Sequence, residues 1–247
     1  MRAFLLALQF LTVITIKRDL AAEEGDLARA RNWFAVVGLI LGGILAAAAW
    51  GLGRILAPLP LAALMVFIWA GLSRFLHLDG LADSADALVY PTERRRALEI
   101  MKDTRVGSFG ICAIACLLLI KFAALAALAE RGAPALAAGL VLAPVLGRAA
   151  AAWLSALLPP AAAQGLGAAT GARRSLLPLP ATGLVALAAC LAAGTAGLAA
   201  LLAVMLLGLG LGGWFMRRLG GVTGDTLGAA IELSEALALV VLGGAWA

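Results

Sequence analysis

Along most of the chain the apolar positions run on instead of alternating with polar ones. WFAVVGLILGGILAAAAWGLGRIL from Trp33, VGSFGICAIACLLLIKFAALAALA from Val106 and APALAAGLVLAPVLGRAAAAWLSALL from Ala133 are each long enough to cross a hydrocarbon layer as a helix, which takes about 20 apolar residues. They are rich in Ala, Leu and Gly, so they predict helices and not barrel strands. Spans are expected near 33–56, 60–76, 106–129, 133–157, 181–194, 198–216 and 226–246. As one helix, 181–216 would be about 54 Å long, too much for a core of roughly 30 Å. Gly194-Thr195-Ala196-Gly197 is the expected break that makes it two. The shorter apolar stretch from Phe4 to Ile16 has no basic flank beyond Arg2 and no small-residue cleavage site, so it predicts a short re-entrant or interfacial helix and not a leader. The expected fold is all-α: a polytopic integral membrane helical bundle of about seven transmembrane helices plus that N-terminal helix, in a single domain over 1–247.

Composition strengthens the membrane reading. The apolar set makes up 64% of 247 residues, and the 29 glycines raise the share to about three quarters, against roughly 45–50% in soluble domains. The net charge of +5 does not point to nucleic acid, because the basic residues flank apolar spans, where positive-inside bias and lipid headgroups account for them. With seven spans, one face collects Lys17, Arg18, Arg29 and Arg31, the arginines at 94–96, Lys102 and Arg105, then Arg173, Arg174, Arg217 and Arg218. The other face receives only tight turns near 58–60, 130–132 and 194–197. The basic face is therefore expected to be cytoplasmic, with the lipid bilayer as the partner of the spans. Cys112, Cys116 and Cys190 lie inside apolar stretches, none at metal spacing with a histidine, and read as small apolar side chains. Gly38, Gly42, Gly208 and Gly212 sit at i, i+4 spacing, which suits helix packing within a protomer or in a homo-oligomer.

Three polar clusters interrupt this background. HLDGLADSADAL, residues 77–88, holds Asp79, Asp83 and Asp86. On a helix these fall at roughly 0°, 40° and 340°, one face about 60° wide. Converging carboxylates repel unless a cation neutralises them, and hard oxygen ligands favour Mg²⁺ or Mn²⁺. The competing reading is a solvated charged face, weakened because the intervening residues offer no basic partner. His77, about 160° from Asp79 on that helix, is expected to point away from the ion; capping the preceding span and reaching a substrate both remain open. IMKDTRVGSFG, residues 100–110, brings Lys102, Asp103 and Arg105 to a helix start with Gly107 and Gly110. Free N–H groups and basic side chains there suit a phosphate, and positive-inside anchoring is the plainer alternative. GGVTGDTLGAAIELSEALAL, residues 220–239, puts Asp225, Glu232 and Glu235 on one arc running into the last span. Acids within a span cost a few kcal/mol each, so a site or an internal ion pair is expected, with Arg148 and Lys121 as partners.

Acidic clusters beside phosphate-type cations are the parts of metal-assisted phosphoryl transfer. HLDGLADSADAL, IMKDTRVGSFG and GGVTGDTLGAAIELSE, in this order and at these separations, resemble the cobalamin synthase family, the adenosylcobinamide-GDP ribazoletransferases. FLTVITI and RNWFAVVGLILGG fit the same family more loosely, and the likeness covers nearly the whole chain. Two positions depart from its pattern: Thr15-Ile16, where proline is usual, and Ala87, where glycine is usual. The resemblance implies transfer of the cobinamide phosphoryl group from adenosylcobinamide-GDP to α-ribazole or its 5′-phosphate, with release of GMP and Mg²⁺ as cofactor, at a bacterial inner membrane. Carried onto this sequence, it implies Asp79, Asp83 and Asp86 as metal ligands. Lys102 and Arg105 would meet the charge of the leaving group, and Asp225, with Asp103 less favoured, would act on the ribazole hydroxyl. Arg148, Glu232 and Glu235 would form the deeper wall, with Gly107 and His77 toward substrate.

Two other readings compete. A CDP-alcohol phosphotransferase-like lipid synthase shares the logic of helix-spaced aspartates, but expects D-x-x-D-G and its continuation where this chain has D-x-x-x-D-x-x-D. A divalent-cation transporter would place its acids at the midplane on paired broken helices, whereas here the aspartates sit at a rim beside basic residues.

Overall fold

The computed structural model describes residues 1–16, 26–90, 93–162 and 178–244. Among them run α1 (Arg2–Leu11), α2 (Asp26–Ala30), α3 (Phe34–Leu52), α4 (Pro58–Leu72), α5 (Leu76–Leu88), α6 (Arg94–Ile100), α7 (Ser108–Glu130), α8 (Ala133–Leu157), α9 (Pro178–Ala192), α10 (Gly194–Leu219) and α11 (Gly224–Gly244). Extended pairing among the described residues is limited to one bridge between Pro160 and Val222. The protein is an all-α, multi-pass membrane bundle. Helices stand at each of the seven expected places. Five are long and apolar enough to cross a membrane, α3 counting from Ala28. A sixth crossing is possible only if α4 and α5, which meet at 88°, count as one bent span. The 15 residues of α9 rise only about 22 Å, less than a hydrocarbon core.

The division of 181–216 falls where the glycines predict. Gly194 has a φ of +69°, which glycine adopts without strain, and the Cα of Gly197 packs on the carbonyl of Cys190, leaving no room for a Cβ. The interfacial segment forms as α1, with Leu6, Ala7, Leu8 and Leu11 buried. Lys17, Arg18, Arg173 and Arg174 of the expected basic face lie outside the described residues. Other members of that face do gather at one end. Arg218 donates to the carbonyl of Tyr90 at 2.5 Å and Arg94 to that of Ala161 at 2.9 Å. At the other end Arg131 donates to the carbonyl of Leu242 at 3.1 Å.

α8 and α11 are the enclosed helices, while α7 and α10 leave most of their apolar surface facing outward, where lipid is the solvent. α3 packs on α8 through small residues: a Cβ on Gly38 would lie 2.5 Å from the carbonyl oxygen of Pro144, and one on Gly42 would lie 2.7 Å from the Cα of Val141. This is small-residue packing inside the protomer. Gly208 has open space around it.

Charge holds the centre together. Lys121 on α7 donates to Glu232 at 2.5 Å and to Glu235 at 2.6 Å on α11, and Arg148 on α8 pairs with the other oxygen of Glu235. These side chains are at most 5% exposed. Two cations and two carboxylates therefore form a neutral set, as the sequence leads one to expect. The set extends to α4, since Lys121 lies 4.6 Å over the Trp69 ring and Arg148 donates to the Ser73 hydroxyl at 3.1 Å. Ser73 opens the turn into α5, where Arg74 and Phe75 both have a φ of +56°, a conformation that costs non-glycine residues about 1 kcal/mol or more each. Arg74 also donates to Thr15 at 3.2 Å and Val13 to the carbonyl of Leu72 at 2.8 Å. The strained turn, pinned on both sides, aims α5 across the end of α4. Glu235→Ala strips a partner from both Lys121 and Arg148, so it should lower stability by about 3–5 kcal/mol, measured as loss of unfolding free energy in detergent.

A candidate active site of four carboxylates

The dodecapeptide is a helix, as its spacing predicts. α5 buries His77, Leu78, Gly80, Leu81, Ala85 and Leu88, and turns Asp79 outward with Asp83 and Asp86 half-buried. It lies so close to α11 that a Cβ on Gly80 would sit 2.8 Å from the carbonyl oxygen of Asp225. This contact fuses the first and third sequence clusters. Asp79, Asp225 and Asp86 all lie near enough for their charge to act on Asp83. Among the described residues none of the four forms a salt bridge.

Asp225 is fixed by the start of its helix. Thr223 Oγ1 accepts from the Thr226 N–H at 3.1 Å, and Thr226 Oγ1 accepts from the Thr223 N–H at 2.8 Å. This reciprocal cap settles the first turn. Val222 donates to the carbonyl of Pro159 at 2.9 Å and accepts from Ala161 at 2.8 Å, tying that turn to the end of α8.

The expected phosphate cradle at the start of α7 is occupied from within. Asp86 Oδ2 accepts from the Gly107 N–H at 2.7 Å and Oδ1 from the Gly110 N–H at 2.9 Å. The anion at this helix terminus is thus Asp86 itself, and the amide of Gly107 is already taken. Arg105 is also engaged: it clasps Asp103 through Nη2 at 2.7 Å and Nε at 3.0 Å. The guanidinium, and after it the Arg105 backbone N–H, holds the Asp103 carboxyl down to about 2, which leaves Asp103 a weak base. Lys102 is exposed; its backbone N–H donates to the carbonyl of Glu99 at 3.1 Å, and its ammonium has no ion pair among the described residues. Its neighbour Met101 touches the Thr223 hydroxyl, 3.9 Å from Sδ, which packs the segment carrying Lys102 against the start of α11. Arg148, Glu232 and Glu235 lie deeper, in the closed network described above. His77 lies on the opposite side of α5 from Asp79 and lines a small cavity of about 50 Å³ together with Asp225, Phe10 and Phe34.

The chain matches the family described as Cobalamin-5-phosphate synthase over residues 3–243. It is 42% identical over 243 residues to an adenosylcobinamide-GDP ribazoletransferase of Pseudomonas paraeruginosa, covering 98% of each chain. A protein of that name from Roseiflexus sp. is 38% identical over 96% of this chain and 87% of its own. The chain belongs to the cobalamin synthase family. No solved structure matches it.

In this family member the residues that sequence spacing does not single out are the positioning ones: Ser73 and Trp69 around the buried charges, and Thr223 with Thr226 at the cap. Gly80, at the middle of the aspartate motif, carried the signal of a close approach. The donor chemistry of the four carboxylates suits a hard divalent cation. As placed, no three His, Cys, Asp or Glu side chains among the described residues meet around one point. A cation there would take few protein oxygens and fill its other positions with water and phosphate, the habit of Mg²⁺. Asp86→Ala, which leaves two amides without an acceptor, should lower stability by about 1–2 kcal/mol in thermal unfolding. Loss of turnover with unchanged unfolding would instead make Asp86 a ligand only.

Proposed function

We propose that the chain is an adenosylcobinamide-GDP ribazoletransferase that uses Mg²⁺ to join the cobinamide phosphoryl group to α-ribazole or its 5′-phosphate, releasing GMP. The observation that carries this reading is the set of Asp79, Asp83, Asp86 and Asp225 from two abutting helices, without salt-bridge partners among the described residues, in a chain of this family. A ribose hydroxyl of the acceptor attacks the phosphorus on the cobinamide side of the diphosphate. The new P–O bond forms as the anhydride bond to GMP breaks, and the hydroxyl proton passes to the Asp225 carboxylate. Asp79 and Asp83 would hold Mg²⁺, and Asp86 would support them while anchoring the start of α7. Bound there, Mg²⁺ neutralises charge on the diphosphate oxygens. Lys102, an exposed cation on the segment packed against the start of α11, meets the charge on departing GMP. The strained turn and the capped start of α11 keep the acids in register, so positioning contributes to the rate. With its arginines gathered at the same end of the bundle, the site is assigned to the cytoplasmic face of a bacterial inner membrane.

Asp83→Asn and Asp225→Asn should each reduce turnover of adenosylcobinamide-GDP with α-ribazole by roughly 10²-fold or more, with normal membrane insertion. Chelating Mg²⁺ should abolish product and adding it back should restore it. Near-normal turnover in both variants contradicts the assignment.

A further inference from the structure

An apolar groove reaches the carboxylates from the outer side of the bundle. It lies between α4, α5 and α7 and has a volume of about 420 Å³, within the range of small-molecule sites. Its edge on α4 runs from Ala63 to Ala70, about 10 Å along the helix. Its other end is reached at Val106 and Asp79, and among the described residues Asp79 is the one polar side chain on the lining. Two rings stand in its wall. Phe67 of α4 and Phe75 of the positive-φ turn lie 6.5 Å apart at 56°, and both are exposed, by 66% and 48%. An open aromatic corner of this kind accepts a further flat ring.

Whatever fills the groove is apolar over most of its surface and ends beside an acid. A phospholipid chain meets the first condition and fails the second, because its phosphate would come to rest against Asp79 and the neighbouring carboxylates. The guanine of the donor and the amides of its corrin carry hydrogen-bonding groups that this lining would leave unpaired. Among the reactants, the base of the acceptor nucleoside is the apolar two-ring part.

We propose that the groove seats the dimethylbenzimidazole base of the acceptor, packed against Phe67 and Phe75. This rests on the reading of the acceptor as a ribazole. On α5 the groove takes the flank of Phe75, Leu78 and Ala82, while Gly80 on the other flank meets Asp225. The aspartate face lies between the two flanks. A base in the groove therefore sends its ribose across Asp79 and Asp83 toward Asp225, the group that takes the hydroxyl proton. The lining offers no side-chain donor to the free ring nitrogen, so burial of the ring and its methyl groups sets the selectivity, and not a hydrogen bond.

The test uses the full chain in lipid nanodiscs with Mg²⁺, and equilibrium binding of α-ribazole and of its analogue without the two ring methyls. Wild type should bind α-ribazole roughly tenfold more tightly than the analogue, the scale of two buried methyl groups. Ala70→Trp, which fills the groove, should bind both probes alike and α-ribazole at least roughly tenfold more weakly than wild type does. Phe67→Ala truncates an exposed side chain, so it should keep the wild-type unfolding temperature and lose about fivefold in α-ribazole affinity. Equal binding of the two probes by wild type overturns the proposal. So does full α-ribazole affinity in Phe67→Ala or in a folded Ala70→Trp; loss of a co-purifying phospholipid from the latter would then make an acyl chain the occupant. Turnover is measured separately. A methyl preference that disappears in Ala70→Trp, without synthase product in wild type, sinks the assigned reaction and keeps the groove. Product formation with an unchanged preference in Ala70→Trp sinks the groove alone.

Discussion

The structure depends on a neutral set of four charges buried in the middle of the bundle: Lys121, Arg148, Glu232 and Glu235. In lipid, no water competes for these groups, so each needs its partner and the three helices carrying them are held at fixed heights. Lys121 belongs to α7, Arg148 to α8 and the glutamates to α11. Apolar side chains facing lipid tails supply no such register, because a leucine is equally at home against a neighbour or an acyl chain.

From this set the order passes outward to the chemistry. Arg148 holds Ser73, Ser73 begins the turn through the two positive-φ residues, and the turn swings α5 against the start of α11. Gly80 against Asp225 then closes the gap between two acidic segments that lie about 140 positions apart in the chain. Asp86 completes the frame by anchoring α7. The carboxylates are thus carried on helices fixed by buried contacts and not on loops, which is how a site keeps its geometry while its substrates come and go.

Much of this was legible in the sequence because the signals are local. Runs of apolar residues mark the helices, the 79–83–86 spacing marks one helix face, and acids inside a span demand cations, which Arg148 and Lys121 supply. What was not legible is pairing at a distance. Nothing in IMKDTRVGSFG reveals that its helix start already receives the carboxylate of Asp86, so Gly107 read as a phosphate contact. Nor does spacing reveal that Asp103 and Arg105 satisfy each other. His77 could be placed away from the acids by its helical angle, but the aromatic wall it faces comes from α1 and α3 and exists only once they pack.

The account turns on four carboxylates acting as a phosphoryl-transfer site and not as an ion path or a lipid synthase. The most direct measurement is ³¹P NMR of the reconstituted protein with adenosylcobinamide-GDP, α-ribazole and Mg²⁺. The account predicts that the diphosphate resonances give way to one new phosphodiester and one GMP in equal amounts, and only when the nucleoside is present. A diphosphate that survives intact, or GMP released at the same rate without α-ribazole, would contradict it.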